Sequence, residues 1–213
     1  MSETIEQIKQ AVVDGKYGEI ETLVRSAIEE KADLNIIIND ALIAAMDIVG
    51  QRFATGEIYV PEMLVAAATM KKGLAIIQPL LKAEDSKPKG TILMGTVKGD
   101  LHDIGKNLVI MMLEGGGFKV VDLGVDLSVD KVIDKVNELK PDALGLSALL
   151  TTTMPEMQKV IQSMQEKGLR DSVKIMVGGA PVDSWFAEKI GADGFGKDAA
   201  EAVQLAKKLV GVN

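Results

Sequence analysis

The 213-residue chain contains one histidine and no cysteine. His102 stands two residues after Asp100, in the glycine-flanked stretch Gly95-Thr-Val-Lys-Gly-Asp-Leu-His-Asp-Ile-Gly105. A carboxylate at that spacing can accept a hydrogen bond from one ring nitrogen, which fixes the tautomer and makes the other nitrogen a better metal ligand. Lack of cysteine removes disulfides, thiolate metal sites and cysteine nucleophiles together. With no second histidine either, a tetrahedral zinc site is hard to build. A single imidazole suits a metal whose other ligands arrive with an organic cofactor; otherwise it is a loop histidine without a role. Phosphate motifs do not fit the same loop. Five residues separate Gly99 from Gly105-Lys106, where a P-loop needs four, and Asn107 follows in place of a hydroxyl. Gly-x-Gly-x-x-Gly is also missing, which disfavours nucleotidases and nicotinamide enzymes.

The elements that must position His102 begin at Thr91. Short β-prone runs at 92–97, 118–123, 143–147, 173–177 and 192–195 alternate with amphipathic stretches, such as Val129, Val132, Ile133 and Val136, and end in a helical pattern over 199–209. Alternating strand and helix predicts a parallel sheet covered on both faces with right-handed crossovers. Five strands in such a domain predict a flavodoxin-like, Rossmann-type, doubly wound α/β fold of order 2-1-3-4-5. Ligands then bind beyond the carboxyl ends of the strands, where the first and third diverge. The loops that meet there are 95–105, Ser147-Ala-Leu-Leu-Thr-Thr-Thr153, the turn opening with Gly178-Gly179, and the one holding Gly194 and Gly196. Glycines at these ends let a ligand approach the backbone.

Residues 1–83 have a different period. Ile5, Ile8 and Val12, then Ile20, Leu23, Val24, Ala27 and Ile28, then Ile38, Ala41, Leu42, Ala45, Met46 and Val49, recur at helical spacing. Met63, Ala66, Ala67, Met70, Leu74 and Ile77 form a fourth stripe after Pro61, which suits a first helical turn. These predict an N-terminal four-helix bundle. Residues 84–90, polar and broken by Pro88 and Gly90, read as a linker to an α/β domain at 91–213. With 24 Lys plus Arg against 31 Asp plus Glu, the formal charge is −7, which argues against general nucleic-acid binding. No uninterrupted apolar run reaches the roughly 18 residues of a membrane span, so a cytoplasmic protein without a membrane partner is expected.

Asp100-Leu-His102-Asp-Ile-Gly105 matches the Asp-x-His-x-x-Gly signature of cobalamin-binding domains, and the match extends through Leu146-Ser147-Ala-Leu149 and Gly178-Gly179. With its helical first half, the whole chain resembles the corrinoid proteins of methyltransferase systems and the cobalamin-binding region of cobalamin-dependent methionine synthase. The resemblance implies a base-off, His-on corrinoid in which His102 replaces the cofactor's own benzimidazole as the lower ligand of cobalt. It implies that the displaced nucleotide tail enters the crevice between strands one and three. Val97, Gly99, Asp100, Leu101, Asp103, Ile104 and Gly105 belong to the loop around it. Ser147, Leu149 and Thr151 would line the crevice from one side, and Gly178, Gly179, Gly194, Phe195 and Gly196 from the others. Asp100 would hold His102, and Thr153 would extend a proton relay, although threonines before Met154-Pro155 could equally cap a helix.

In this family the bundle covers the upper, methyl-bearing face of the corrin. Gly50-Gln-Arg-Phe53 and Gly56-Glu57-Ile-Tyr59-Val60-Pro61-Glu-Met63-Leu64 match that region, so Tyr59 and Met63 are candidate shielding groups. The linker would let the cap swing aside. The implied role is a methyl carrier, holding methylcobalamin and non-catalytic on its own. It would work between a substrate-specific methyltransferase and a second methyltransferase that serves a pterin such as tetrahydrofolate, or a thiol. A reductive activator would rescue oxidised cobalt. Two other readings stay open: the cobalamin-binding subunit of an adenosylcobalamin mutase, and a cobalamin-based sensor.

Overall fold

The computed structural model describes residues 3–81 and 87–212. Of the expected linker, residues 84–86 lie outside the described residues. Two compact units divide the chain between Lys87 and Pro88, with Gly115–Gly117 grouped with the first.

The first unit is helical. Helices α1 (Glu3–Val13), α2 (Ile20–Glu29) and α5 (Val60–Ile77) join a continuous helical segment, Leu34–Ala54, made of α3 (Leu34–Ile36), a π-helical stretch (Ile37–Ile43) and α4 (Ala44–Ala54). Their expected stripes face inward: Ile5, Ile8 and Val12 on α1, Ile20, Val24 and Ala27 on α2, Met63, Ala66, Ala67, Met70 and Ile77 on α5. Local signals set the ends. The Asp33 carboxylate accepts the Asn35 N–H, and Glu62 accepts the Tyr59 N–H at the start of α5, whose first turn holds Pro61. Gly73 leaves room for Leu42, Ile20 and Val24, since a Cβ there would sit 3.0 Å from Leu42 Cδ2 and 3.2 Å from Ile20 Cγ1.

One stripe departs from expectation. Ile37, not Ile38, is fully buried, because the π turn inserts a residue and slips the inward face by one position. By length and a mean hydropathy of 1.3, Leu34–Ala54 is long and apolar enough to cross a bilayer, contrary to the expectation from the apolar runs of the sequence. However, Asn35, Asn39, Asp40 and Asp47 punctuate it, and Ile37, Ala41, Leu42, Ala45, Met46 and Val49 are buried, as in a bundle core helix.

The second unit carries a five-stranded, all-parallel sheet of β1 (Thr91–Thr96), β2 (Lys119–Asp122), β3 (Ala143–Ser147), β4 (Lys174–Gly178) and β5 (Gly194–Phe195). Its order, β2-β1-β3-β4-β5, is that of the expected doubly wound fold. Helices α6 (Ile104–Gly115), α7 (Val129–Leu139), α8 (Met154–Glu166), α9 (Ser184–Ile190) and α10 (Ala199–Val210) follow the strands in turn. Leu93, Leu144, Leu146, Ile175 and Val177 point to one face and join Val132, Ile133 and Val136 of α7 and Met157, Val160, Ile161 and Met164 of α8 in one core. By strand alternation Met94, Gly145 and Met176 point to the opposite face. Strand ends differ slightly from the sequence reading: Val97 forms only an isolated bridge to Leu127, and β5 shrinks to two residues.

Candidate functional site

The loop after β1 is pinned before it reaches His102. Val97 N–H donates to the Ser147 carbonyl (3.0 Å), and the Thr96 hydroxyl donates to the His102 carbonyl (2.9 Å). Gly99 turns the chain at φ +80°, a conformation that favours glycine, and its N–H donates to Asp126 Oδ1 (2.7 Å). These bonds bring Asp100 into the interior, where it is 0% exposed.

Asp100 accepts five hydrogen bonds. Oδ1 takes the His102 backbone N–H (3.1 Å) and faces His102 Nδ1 at 2.7 Å. Oδ2 takes the Leu149 N–H (2.7 Å), the Leu150 N–H (3.3 Å) and the Thr153 hydroxyl (2.8 Å). Burial by itself raises the Asp100 pKa, but the Leu149 and His102 N–H groups, the imidazole and the Thr153 hydroxyl outweigh it and hold the carboxyl well below the usual carboxylate range. An ionised carboxylate only accepts, so Nδ1 carries the imidazole proton and Nε2 keeps its lone pair. The His102 side chain is about half exposed, at 51%. Among the described residues there is no group of three or more His, Cys, Asp or Glu able to hold a metal ion. What is offered is one oriented nitrogen.

Thr153 decides between its two sequence readings. It occupies the residue before α8, yet its side chain caps nothing there; the hydroxyl is directed to Asp100 and to the Leu150 carbonyl (2.9 Å), which share its one proton. Helix capping is therefore not its role. Thr151 is exposed and does not line the cavity below.

Beside His102 opens a cavity of about 490 Å³ on the α6/α10 face of the sheet. Of the residues expected around the ligand, Leu101, His102, Asp103, Ile104, Gly105, Ser147, Leu149, Gly178, Gly179 and Gly196 line it. Leu101 (71% exposed), Ile104 (84%) and Leu149 (41%) make an apolar shelf around the imidazole, a surface that soluble proteins keep for a ligand or partner. The glycines matter first for the chain itself. A Cβ on Gly179, at φ +135°, would collide with the Ala148 carbonyl oxygen, and one on Gly178 would sit 2.9 Å from the Gly196 carbonyl oxygen. Gly105 alone of these has open space where a Cβ would be.

Other expected residues lie elsewhere. Val97 is buried in the α7/α8 core, and Phe195 packs against the same core. The space beside Gly194 is taken by Leu205, whose Cδ2 a Cβ would meet at 3.0 Å. Exposed Gly99 and buried Asp100 do not line the cavity. Tyr59 (68% exposed) and buried Met63 belong to the helical unit. Conversely, sequence reasoning missed Met94, Lys106, Val109, Gly145, Met176, Ala180, Lys197 and Ala202 in the lining. Strand alternation back from Ser147 to Gly145 would have found the first row. Lys106, whose side chain is almost wholly buried, gave no such signal: its Nζ meets Asp122 Oδ1 at 2.6 Å and Asn107 Oδ1 at 2.8 Å.

Residues 90–204 match the family model of the B12 binding domain, and residues 4–78 match a second model with the same description. The chain belongs to the B12-binding corrinoid proteins. It is 40% identical over 210 residues to a corrinoid protein of Desulfitobacterium hafniense (strain Y51), covering 97% of each chain. It is 41% identical over 212 residues to the trimethylamine corrinoid protein of Methanosarcina barkeri, covering 99% of this chain and 98% of the other. Among solved structures, a cobalamin-binding protein from Desulfitobacterium hafniense DCB-2 superposes with a TM-score of 0.83 at 33% identity, covering 96% and 98%. The methanol:cobalamin methyltransferase complex of Methanosarcina barkeri gives 0.86 at 31% identity, over all of this chain and 81% of that one. The family indicated by the signature loop is thus borne out. The residues of this corrinoid protein fit the cofactor: a lone oriented imidazole, an apolar shelf for a flat macrocycle, and a deep cleft beside it.

Proposed function

We propose that this corrinoid protein carries a methyl group between a substrate-specific methyltransferase and a second methyltransferase that serves a pterin or thiol acceptor. The single observation that carries the reading is the Thr153–Asp100–His102 chain, which leaves Nε2 as the free donor at the head of the cleft. Full-length similarity to a trimethylamine corrinoid protein and to a chain of a methanol:cobalamin methyltransferase complex supports the methyl-transfer setting.

His102 Nε2 would hold the cobalt, and the cleft beside Ser147, Gly178 and Gly179 would hold the nucleotide tail. When bound, the cofactor supplies the chemistry of making and breaking a carbon–cobalt bond, and the protein supplies ligation, orientation and shielding. Asp100 holds the imidazole in the Nε2-donor tautomer. Beside the ring, the buried Asp100 carboxylate would balance the positive charge that a bound metal ion draws onto the imidazole. Thr153 donates to the same carboxylate and tempers its charge. Leu101, Ile104 and Leu149 would exclude water around the ring. A reductive activator completes the set of partners.

The test is the visible spectrum of chain reconstituted with methylcobalamin, compared with His102→Ala. The parent should show a His-ligated spectrum with a pH response that the variant lacks; identical spectra would refute His-on ligation. Methyl transfer to an acceptor should require an added methyltransferase, and unaided turnover of a methyl donor by this chain would refute the carrier role.

A further inference from the structure

The cleft is floored by three strands in register. Met94, Gly145 and Met176 form one row across β1, β3 and β4, and all three line the cavity. Thr96, Ser147 and Gly178 form the next row on the same face, nearer the carboxyl ends. The methionine row is therefore the deep end. It is apolar, with Val109 of α6 and Ala202 of α10 alongside. The Met94 thioether lies over Gly145: a Cβ on that glycine would collide with Met94 Sδ and stand 3.0 Å from its Cε. Thus the space left by the missing side chain is filled by the tip of an unbranched, flexible one, which can yield where a branched residue would not.

We propose that Met94 is a movable stop at the end of the cleft and sets the size of the heteroaromatic base that the corrinoid's nucleotide tail can carry. The inference rests on the corrinoid reading above, with the tail in this cleft. Corrinoids differ in that base, and an apolar end suits a benzimidazole whose alkyl groups press against the thioether. A polar edge would lose its hydrogen bonds there. Because the Met94 tip rests in the space over Gly145, it leaves the end of the cleft clear for a base with alkyl groups. A Cβ on Gly145 would push the thioether out of that space and toward the base.

The experiment titrates the apo chain with two corrinoids, one bearing 5,6-dimethylbenzimidazole and one bearing unsubstituted benzimidazole, followed by visible absorption. Each affinity is expressed as variant over parent, which cancels the corrinoid's own cost of releasing its base. Gly145→Ala should fold, because its Cβ meets the far end of a flexible side chain and the next contact, the Leu93 carbonyl oxygen, is 3.7 Å away. It should weaken the dimethyl form about tenfold and the unsubstituted form less, the scale set by one or two methyl groups in a packed pocket. Gly145→Ala combined with Met94→Ala should restore both to near parental affinity. Equal weakening of the two corrinoids, or no recovery in the double variant, would overturn the role of Met94 and leave the corrinoid reading standing. Failure of the parent to bind either corrinoid would overturn that reading and this inference with it.

Discussion

Asp100→Asn should damage both the fold of the α/β unit and the ligating atom of His102. The carboxylate accepts two N–H groups from His102 and three donors from Leu149, Leu150 and Thr153. An asparagine offers one carbonyl oxygen and one donating NH2. Turned so that its oxygen keeps the Leu149 side, it places NH2 against the His102 backbone N–H, donor against donor. The same NH2 can be accepted only by a deprotonated Nδ1, which moves the ring proton to Nε2. A buried N–H without a partner costs about 1–3 kcal/mol, and the loss of ionic character in the remaining bonds adds to it, for a total of about 3 kcal/mol. At a urea dependence of about 1–3 kcal/mol per molar, the unfolding midpoint of the apo chain should fall by roughly 1–3 M. Acid sensitivity should change as well. The folded Asp100 carboxyl is held below its ordinary value, so its contribution is complete above about pH 4 and is lost as the pH falls through the folded value. That acid limb should be missing in the variant. With corrinoid added, the spectrum should move toward that of His102→Ala. A variant with the parental midpoint, acid limb and spectrum would refute the tautomer reasoning.

Thr153→Val keeps the shape but removes one of the five donors to Asp100, so it should cost about 1 kcal/mol in urea unfolding and shift the pH response of the reconstituted spectrum without abolishing binding. Gly179→Ala forces a side chain into φ +135° and against the Ala148 carbonyl; a loss of roughly 3 kcal/mol or failure to fold is expected, read by thermal melting. The Lys106–Asp122 pair should respond unequally. Asp122→Asn leaves a buried ammonium short of its carboxylate and should cost about 3 kcal/mol, whereas Lys106→Met leaves a half-exposed carboxylate that water can solvate and should cost about 1 kcal/mol or less. Equal losses in the two variants would contradict that ordering.

How much was legible beforehand depended on range. The strand–helix alternation from Thr91 onward is a local pattern, and it led to the observed sheet order. The signature Asp100-Leu-His102-Asp-Ile-Gly105 is also local, since the His102–Asp100 bond spans two residues. By contrast, the bond from Thr153 to Asp100 spans 53 residues, and only the closure of the loop after β3 onto the loop after β1 separated it from helix capping. Ile37 replaced Ile38 as the inward residue because a π turn changes the period, and no residue type announces such a turn.

The same division holds at the cleft. The sequence by itself determined that this chain has one imidazole, a carboxylate placed to orient it, and glycines at the strand ends, because these depend on residue type and short spacing. The tertiary structure alone decided which groups form the wall. Gly194 and Phe195, near the loop ends in sequence, are occupied by Leu205 and by the core, while Met94, Gly145 and Met176 come together from strands up to 82 positions apart. Register across a parallel sheet is set by packing over the whole domain, so the deep end of the cleft exists only once the strands have paired.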